Sequence, residues 1–456
     1  MRALVIAVCA SVACARPRPA SVESRPASVE SPPADAVMAP DDRAAGDAAG
    51  DEARVAMLRA LVAASRGADQ LDARARLFEQ LAASAQPADQ VEALAIAAAL
   101  VAAPGFAALP QADAVLYGHG AALARAGDGV GARGAWRRLV ADYPASRWVP
   151  PAIVELADQA FAAGDLNTAT ALYPRAFADP AVGVYARYKR GWCAYNLGDG
   201  AQALADFLDV ARTARDPLRT AALKDLVRAY ADVGDVAKAA AFFRVIDRAH
   251  VGAHQLRLGQ HYLDIGKLRE ARRALTDAQP LLAAADACRA EATLARAAWL
   301  GGDRSATAAA LTGLVARGPD PTCADVAAPL AREVAIALTA DARRRVGDRA
   351  AAIAAWGTAR ALAPAGAPRA DAAQALAEVA AEHATAVGTA AAWAEAAEAA
   401  YEAAASGDAG AVDAALDAWR RAVALDPGLA ARAAAGRALL ERLPCAGASC
   451  GGADSR

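Results

Sequence analysis

The dipeptide Gly-Asp returns at one kind of place along this chain: Gly127-Asp128, Gly164-Asp165, Gly198-Asp199, Gly234-Asp235, Gly302-Asp303 and Gly347-Asp348, with Gly266-Lys267 filling the one gap. Successive glycines lie 37, 34, 36, 32, 36 and 45 residues apart. Periods in this range belong to arrays of helix pairs. Glycine reaches left-handed backbone cheaply, so each position reads as the end of one helix with the next starting at once.

Fixed offsets from these glycines carry the packing code. Five residues on stands a small residue: Ala132, Ala169, Ala203, Ala239, Ala271, Thr307 and Ala352. Nine residues on stands a large apolar one: Trp136, Tyr173, Phe207, Phe243, Leu275, Leu311 and Trp356. An offset of four places both on one stripe of the second helix. Pro144, Pro319 and Pro364, seventeen residues on, stop that helix. Seven residues before the turns stand Gly120, Ala157, Gly191, Val227, Gly259, Ala295 and Ala340.

This register resembles the tetratricopeptide family, with Leu258-Gly259, Tyr262 and Gly266 a near-complete match. The resemblance implies an all-α fold: a right-handed superhelical solenoid of about seven to nine stacked antiparallel helix pairs. It also implies that the first helices line a concave face that grips extended peptides or a partner's helix. Seven repeats are expected over 113–364, after a helical cap or degenerate repeat over 51–112. Within that cap Val55, Leu58 and Val62 share one face and Leu71, Phe78 and Leu81 another. Beyond Pro364 the register blurs: Ala415, Trp419 and Asp426-Pro427 look like another second helix, but one helix too many intervenes. Further repeats and a capping helix fill 365–443, and a flexible tail occupies 444–456.

The composition fits that architecture. Hydrophobic residues make up 56% but aromatics only 5%, with alanine dominant, so helices must approach closely around sparse large side chains. The 49 basic and 51 acidic residues are interspersed, which leaves no electrostatic footprint for nucleic acid.

The N-terminal residues carry a targeting signal. Met1-Arg2 precedes an apolar run from Ala3 to Ala13, too short to span a bilayer and suited to a signal-peptide core. Ser11-Val12-Ala13-Cys14 resembles a bacterial lipobox, with Ser where Leu is usual, which makes Cys14 a lipidation site; Ala13-Cys14-Ala15 equally fits ordinary signal cleavage. Residues 1–13 are thus expected to leave. Residues 14–50, rich in Pro, Ser and Ala and holding a direct repeat of Arg18-Pro19-Ala20-Ser21-Val22-Glu23-Ser24 at 25–31, form a disordered tether. Ala15 rather than Asp after Cys14 resembles an outer-membrane sorting preference. The expected place is the outer membrane facing the periplasm, with soluble periplasmic or secreted protein as the alternative.

Candidate groove residues are Tyr185, Tyr188, Trp192, Tyr195 and Asn196, at helical spacing, with Lys224, Arg228 and Arg257 in the next two repeats. Strict register turns the aromatic stripe to the groove but leaves Arg187 and Arg190 at packing positions; a small rotation makes Tyr188 and Trp192 core instead. The basic residues suit an acidic segment or are a solvated face. His250, His254 and His261 have helical spacing but no completing ligand, so no metal is expected. Cys288 and Cys323 lie one repeat apart, and Cys445 and Cys450 are near neighbours; each pair is a disulfide candidate in an oxidising compartment.

Two catalytic patterns lack their setting. Gly129 to Gly134 spells a dinucleotide-binding glycine motif with no strand before it, and Gly447 to Gly451 a nucleophile elbow with no sheet beneath. No enzyme activity and no cofactor are expected. The implied role is a lipid-tethered scaffold for envelope proteins or extended peptide segments, touching membrane only through its anchor and binding no nucleic acid. The alternative is a periplasmic module for peptides or peptidoglycan fragments, which needs the aromatic stripe as an open pocket.

Overall fold

The computed structural model describes residues 48–318, 320–344, 348–408 and 410–443. Among them every regular element is helical, and the chain is a helical repeat solenoid. Residues 1–47, with Cys14, and the tail with Cys445 and Cys450 lie outside the described residues.

The first compact unit runs to Gly234. It opens with α1 (Ala48–Ala64), α2 (Gly67–Ala82) and α3 (Pro87–Ala102). The pairs α4 (Ala112–Arg125) with α5 (Gly129–Asp142) and α6 (Val149–Ala162) with the short α7 (Leu166–Leu172) follow. Then come α8 (Gly183–Asn196) with α9 (Gly200–Thr213), and α10 (Leu218–Val233).

The second unit begins at Asp235 with the short α11 (Ala239–Ile246). Its pairs are α12 (Val251–Asp264) with α13 (Leu268–Ala278), α14 (Ala284–Leu300) with α15 (Arg304–Arg317), and α16 (Ala324–Arg343) with α17 (Arg349–Leu362). Four more helices close it: α18 (Ala367–Val387), α19 (Ala390–Ala405), α20 (Gly410–Leu425) and α21 (Ala430–Leu440). α19 and α20 are joined through a Gly407-Asp408 turn, so α18 is the helix outside the pairing.

The Gly-Asp dipeptide does two jobs. Gly127, Gly164, Gly198, Gly266 and Gly302 all have φ between +73° and +84°, and the N–H three residues past each first helix returns to its last turn, as Asp128 N–H does to the Leu123 carbonyl at 2.9 Å. The aspartate then caps the second helix: Asp128 accepts from Gly131 N–H, Asp165 from Thr168, Asp199 from Gln202 and Asp303 from Ala306, at 2.8–3.1 Å. Gly234 departs from the expectation. Its φ is −82°, and glycine is needed there because a Cβ would meet the Tyr230 ring at 2.5 Å.

The packing code is literal. All seven small residues and all seven large ones of the second helices are buried, from Ala132 and Trp136 to Ala352 and Trp356. Each large side chain lies sixteen residues after the residue at the first-helix position, and where that position is Gly120, Gly191 or Gly259 the two meet. A Cβ on Gly191 would approach Phe207 to 2.8 Å, one on Gly259 would approach Leu275 to 2.5 Å, and one on Gly120 would overlap the Trp136 indole. Glycine on the first helix is therefore a socket for the aromatic or leucine of the second.

Candidate functional site

The aromatic stripe on α8 resolves into core. Tyr188 is 1% exposed and Trp192 8%, both packed on Phe207, and Tyr195 is buried against Trp192. The Tyr188 hydroxyl donates to Asp225 Oδ2 at 2.6 Å. Burial raises the Asp225 carboxyl, opposed by that hydrogen bond and by Arg228. Arg228 lies 3.9 Å from Asp225 and 5.9 Å from the Trp192 ring centre, which covers the indole. Asn196 is exposed and donates to the Trp192 carbonyl of its own helix. Lys224 is exposed, and Arg257 stands on α12 in the second unit.

The two arginines at packing positions find a specific solution. Arg187 and Arg190 both place their guanidinium 4.6 Å from the Phe177 ring centre and bond Asp209 and Asp206. Stacking on an aromatic face with a carboxylate at the edge suits a planar cation.

Sequence reasoning missed the acidic inner face of α6. Asp158 accepts from the hydroxyls of Tyr173 and Tyr185 and pairs with buried Lys189 at 3.4 Å. It thereby cements α6, the turn after α7, and α8. One turn away, Glu155 stands near Tyr117, whose ring stacks on Trp148 at 4.9 Å. Burial, reinforced by the Asp158 charge, pushes the Glu155 carboxyl from its ordinary 4.5 up to about 7. The folded state thus keeps this proton where the unfolded chain has lost it, so stability is lost as pH rises from about 4.5 through 7. Glu155→Gln is expected to stabilise the protein at pH 8 by about 1–3 kcal/mol and change little at pH 4. Urea unfolding at the two pH values measures this, and an equal effect at both would refute it.

Two of the three histidines, His250 and His254, are joined by a carboxylate that the sequence reading did not connect to them. Asp247 meets His250 Nδ1 at 3.1 Å and His254 Nε2 at 3.0 Å. Burial lowers the His254 pKa, opposed by Asp247. Among the described residues no group of three or more His, Cys, Asp or Glu side chains is placed to hold a metal. Cys288 on α14 and Cys323 at the start of α16 form a disulfide. Cys193 is a buried thiol, which burial pushes up to about 11.

An open feature of the second unit lies elsewhere. α16 packs on α14 and α17, and α18 packs on α17 and α19. Beside α16 runs a groove of about 730 Å³ whose lining reaches from Trp299 on α14 to Pro368 and Ala372 on α18. Ile336 lines it and is 51% exposed. The Trp299 ring, half-buried, is fixed by donation from its Nε1 to Glu333 at 2.8 Å. A large apolar side chain left in solvent inside a concave, alanine-floored surface is unfavourable for the free protein and favourable for a bound one. No signal in the sequence marks this groove, because alanine and proline there read as ordinary helix and helix end.

No family model and no curated protein matches this chain. Solved structures similar to it include the P58(IPK) TPR domain, 16% identical over 71% of this chain and 96% of that one, with a TM-score of 0.23. BtubC (BKLC) from P. vanneervenii is 14% identical over 58% and 89%, with a TM-score of 0.23. The APC/C hetero-tetramer Cut9-Hcn1 is 13% identical over 85% and 90%, with a TM-score of 0.22. At such scores the fold assignment rests on the helix pairs themselves.

Proposed function

We propose that this protein is an interaction scaffold of the bacterial cell envelope, a lipid-tethered repeat solenoid that holds other proteins. The observation that carries the reading is the open apolar groove along α16, with Ile336 exposed in it. A surface of this kind suits a segment of another chain. The alternative, a binding module for peptides or peptidoglycan fragments with an aromatic pocket, loses its basis because Tyr188 and Trp192 are core.

Two observations support the envelope. The lipobox-like run ends at Cys14, and the Cys288–Cys323 bond suits an oxidising compartment. Cys14→Ser is expected to move the protein from the membrane fraction to the soluble envelope fraction, and unchanged membrane association would remove the lipid anchor from this reading. Cross-linking in the native envelope tests the scaffold role itself. Recovery of no protein partner, under conditions that preserve envelope complexes, would end it.

A further inference from the structure

We infer that the groove along α16 takes a partner segment in which one Asp or Glu side chain sits between large apolar side chains, with Arg332 binding the carboxylate. The inference rests on the scaffold reading and names the chemistry of what is held at this site.

The charges at the groove carry the argument. Asp325 is committed to Arg289, at 3.0 Å. Glu333 accepts from Arg296 and from the Trp299 indole. Arg332 also lines the groove and is exposed, and its guanidinium makes no ion pair or hydrogen bond among the described residues. The uncommitted charge of the lining is therefore positive. A guanidinium offers a planar fork of donors that matches a carboxylate with two parallel hydrogen bonds.

Position along the helix decides where that carboxylate belongs in the ligand. The lining of α16 runs from Ala324 to Ala337, about 20 Å at the rise of an α-helix. Arg332 stands inside this stretch, with Ala328 and Pro329 about a turn before it and Ile336 a turn after. Apolar contact is thus offered on both sides of the cation. A fatty acid or a chain terminus carries its charge at one end and leaves one of these flanks unused. An acidic side chain within a segment uses both. The small side chains of Ala359 and Ala372 leave depth for the flanking residues.

Selection of random 15-residue displayed peptides on the full-length protein tests this. Selected peptides are expected to share one Asp or Glu flanked by large apolar residues. Arg332→Ala is expected to weaken their binding 10- to 100-fold, Ile336→Glu at least 10-fold, and Arg332→Glu to shift selection toward Lys or Arg at the central position. Both positions are exposed, so thermal unfolding of each variant confirms that the fold persists. The inference is overturned if no peptide is selected, if selected peptides lack the acidic residue, or if they bind Arg332→Glu unchanged. It is equally overturned if a fluorescent fatty acid, or a second copy of the chain, proves to be the occupant lost with Ile336→Glu. Purified protein is used throughout, so a negative result here is separate from the Cys14 and cross-linking results.

Discussion

Replacing Trp136 with alanine is expected to destabilise the first unit by about 3–5 kcal/mol. The indole is fully buried, its Nε1 donates to the Tyr117 carbonyl at 3.2 Å, and it fills the space left by Gly120 on the facing helix. The converse change, Gly120→Ala, forces a methyl into the same space and is expected to cost about 1–3 kcal/mol while Trp136 is present. With Trp136 already truncated, that methyl has room. The double variant should therefore cost clearly less than the two single changes together. A double-mutant cycle by urea unfolding measures the coupling, and additivity would show that socket and plug are independent. Because the same glycine pairing recurs at a spacing of sixteen in two further repeats, the outcome speaks for Gly191 with Phe207 and Gly259 with Leu275 as well.

Loss of the Cys288–Cys323 bond is the second large effect. The sulfurs close a loop with a sequence separation of 35, which contains all of α15. In the chain-entropy view, releasing such a loop costs about 3–4 kcal/mol. Reduction, or Cys288→Ser with Cys323→Ser, is expected to lower the second unit's unfolding temperature and to open the turn before α16 to proteases. Cys193 is buried with its thiol pushed up to about 11, so it does not compete for exchange. If a reduced sample unfolds and cleaves like an oxidised one, the bond contributes nothing to the fold.

The parts of this structure that were legible are those set by local backbone chemistry. Gly-Asp turns announce where one helix stops and the next begins, because left-handed backbone and N-capping each admit few residue types. The buried stripe through Trp136, Tyr173 and Phe207 follows from a spacing of four on a helix of 3.6 residues per turn. The blurred stretch after Pro364 holds α18, a helix outside the pairing, and periodicity could not place it because an unpaired helix has the same alanine-rich faces as a paired one.

The candidate site was less legible, since it depends on side chains meeting across repeats. The stripe Tyr185–Tyr195 admitted two rotations of α8, and the deciding contacts, Asp158, Asp206 and Asp225, come from three other helices. Those aspartates look in sequence like any solvated acidic face. Arg332 was overlooked for the same reason: a lone arginine on an alanine-rich helix becomes informative only once its neighbours Asp325 and Glu333 are seen to be committed elsewhere.

The bond between Cys288 and Cys323 also alters how the second unit bears load. When the chain is pulled, force arriving at the first turn of α14 crosses to the start of α16 through two side chains and a sulfur–sulfur link. α15 hangs outside that path. The enclosed segment, 35 residues in separation at about 3.5 Å each, withholds about 120 Å of extension from any stretch that would otherwise unravel this repeat. The second unit is thereby given a strap across one of its links.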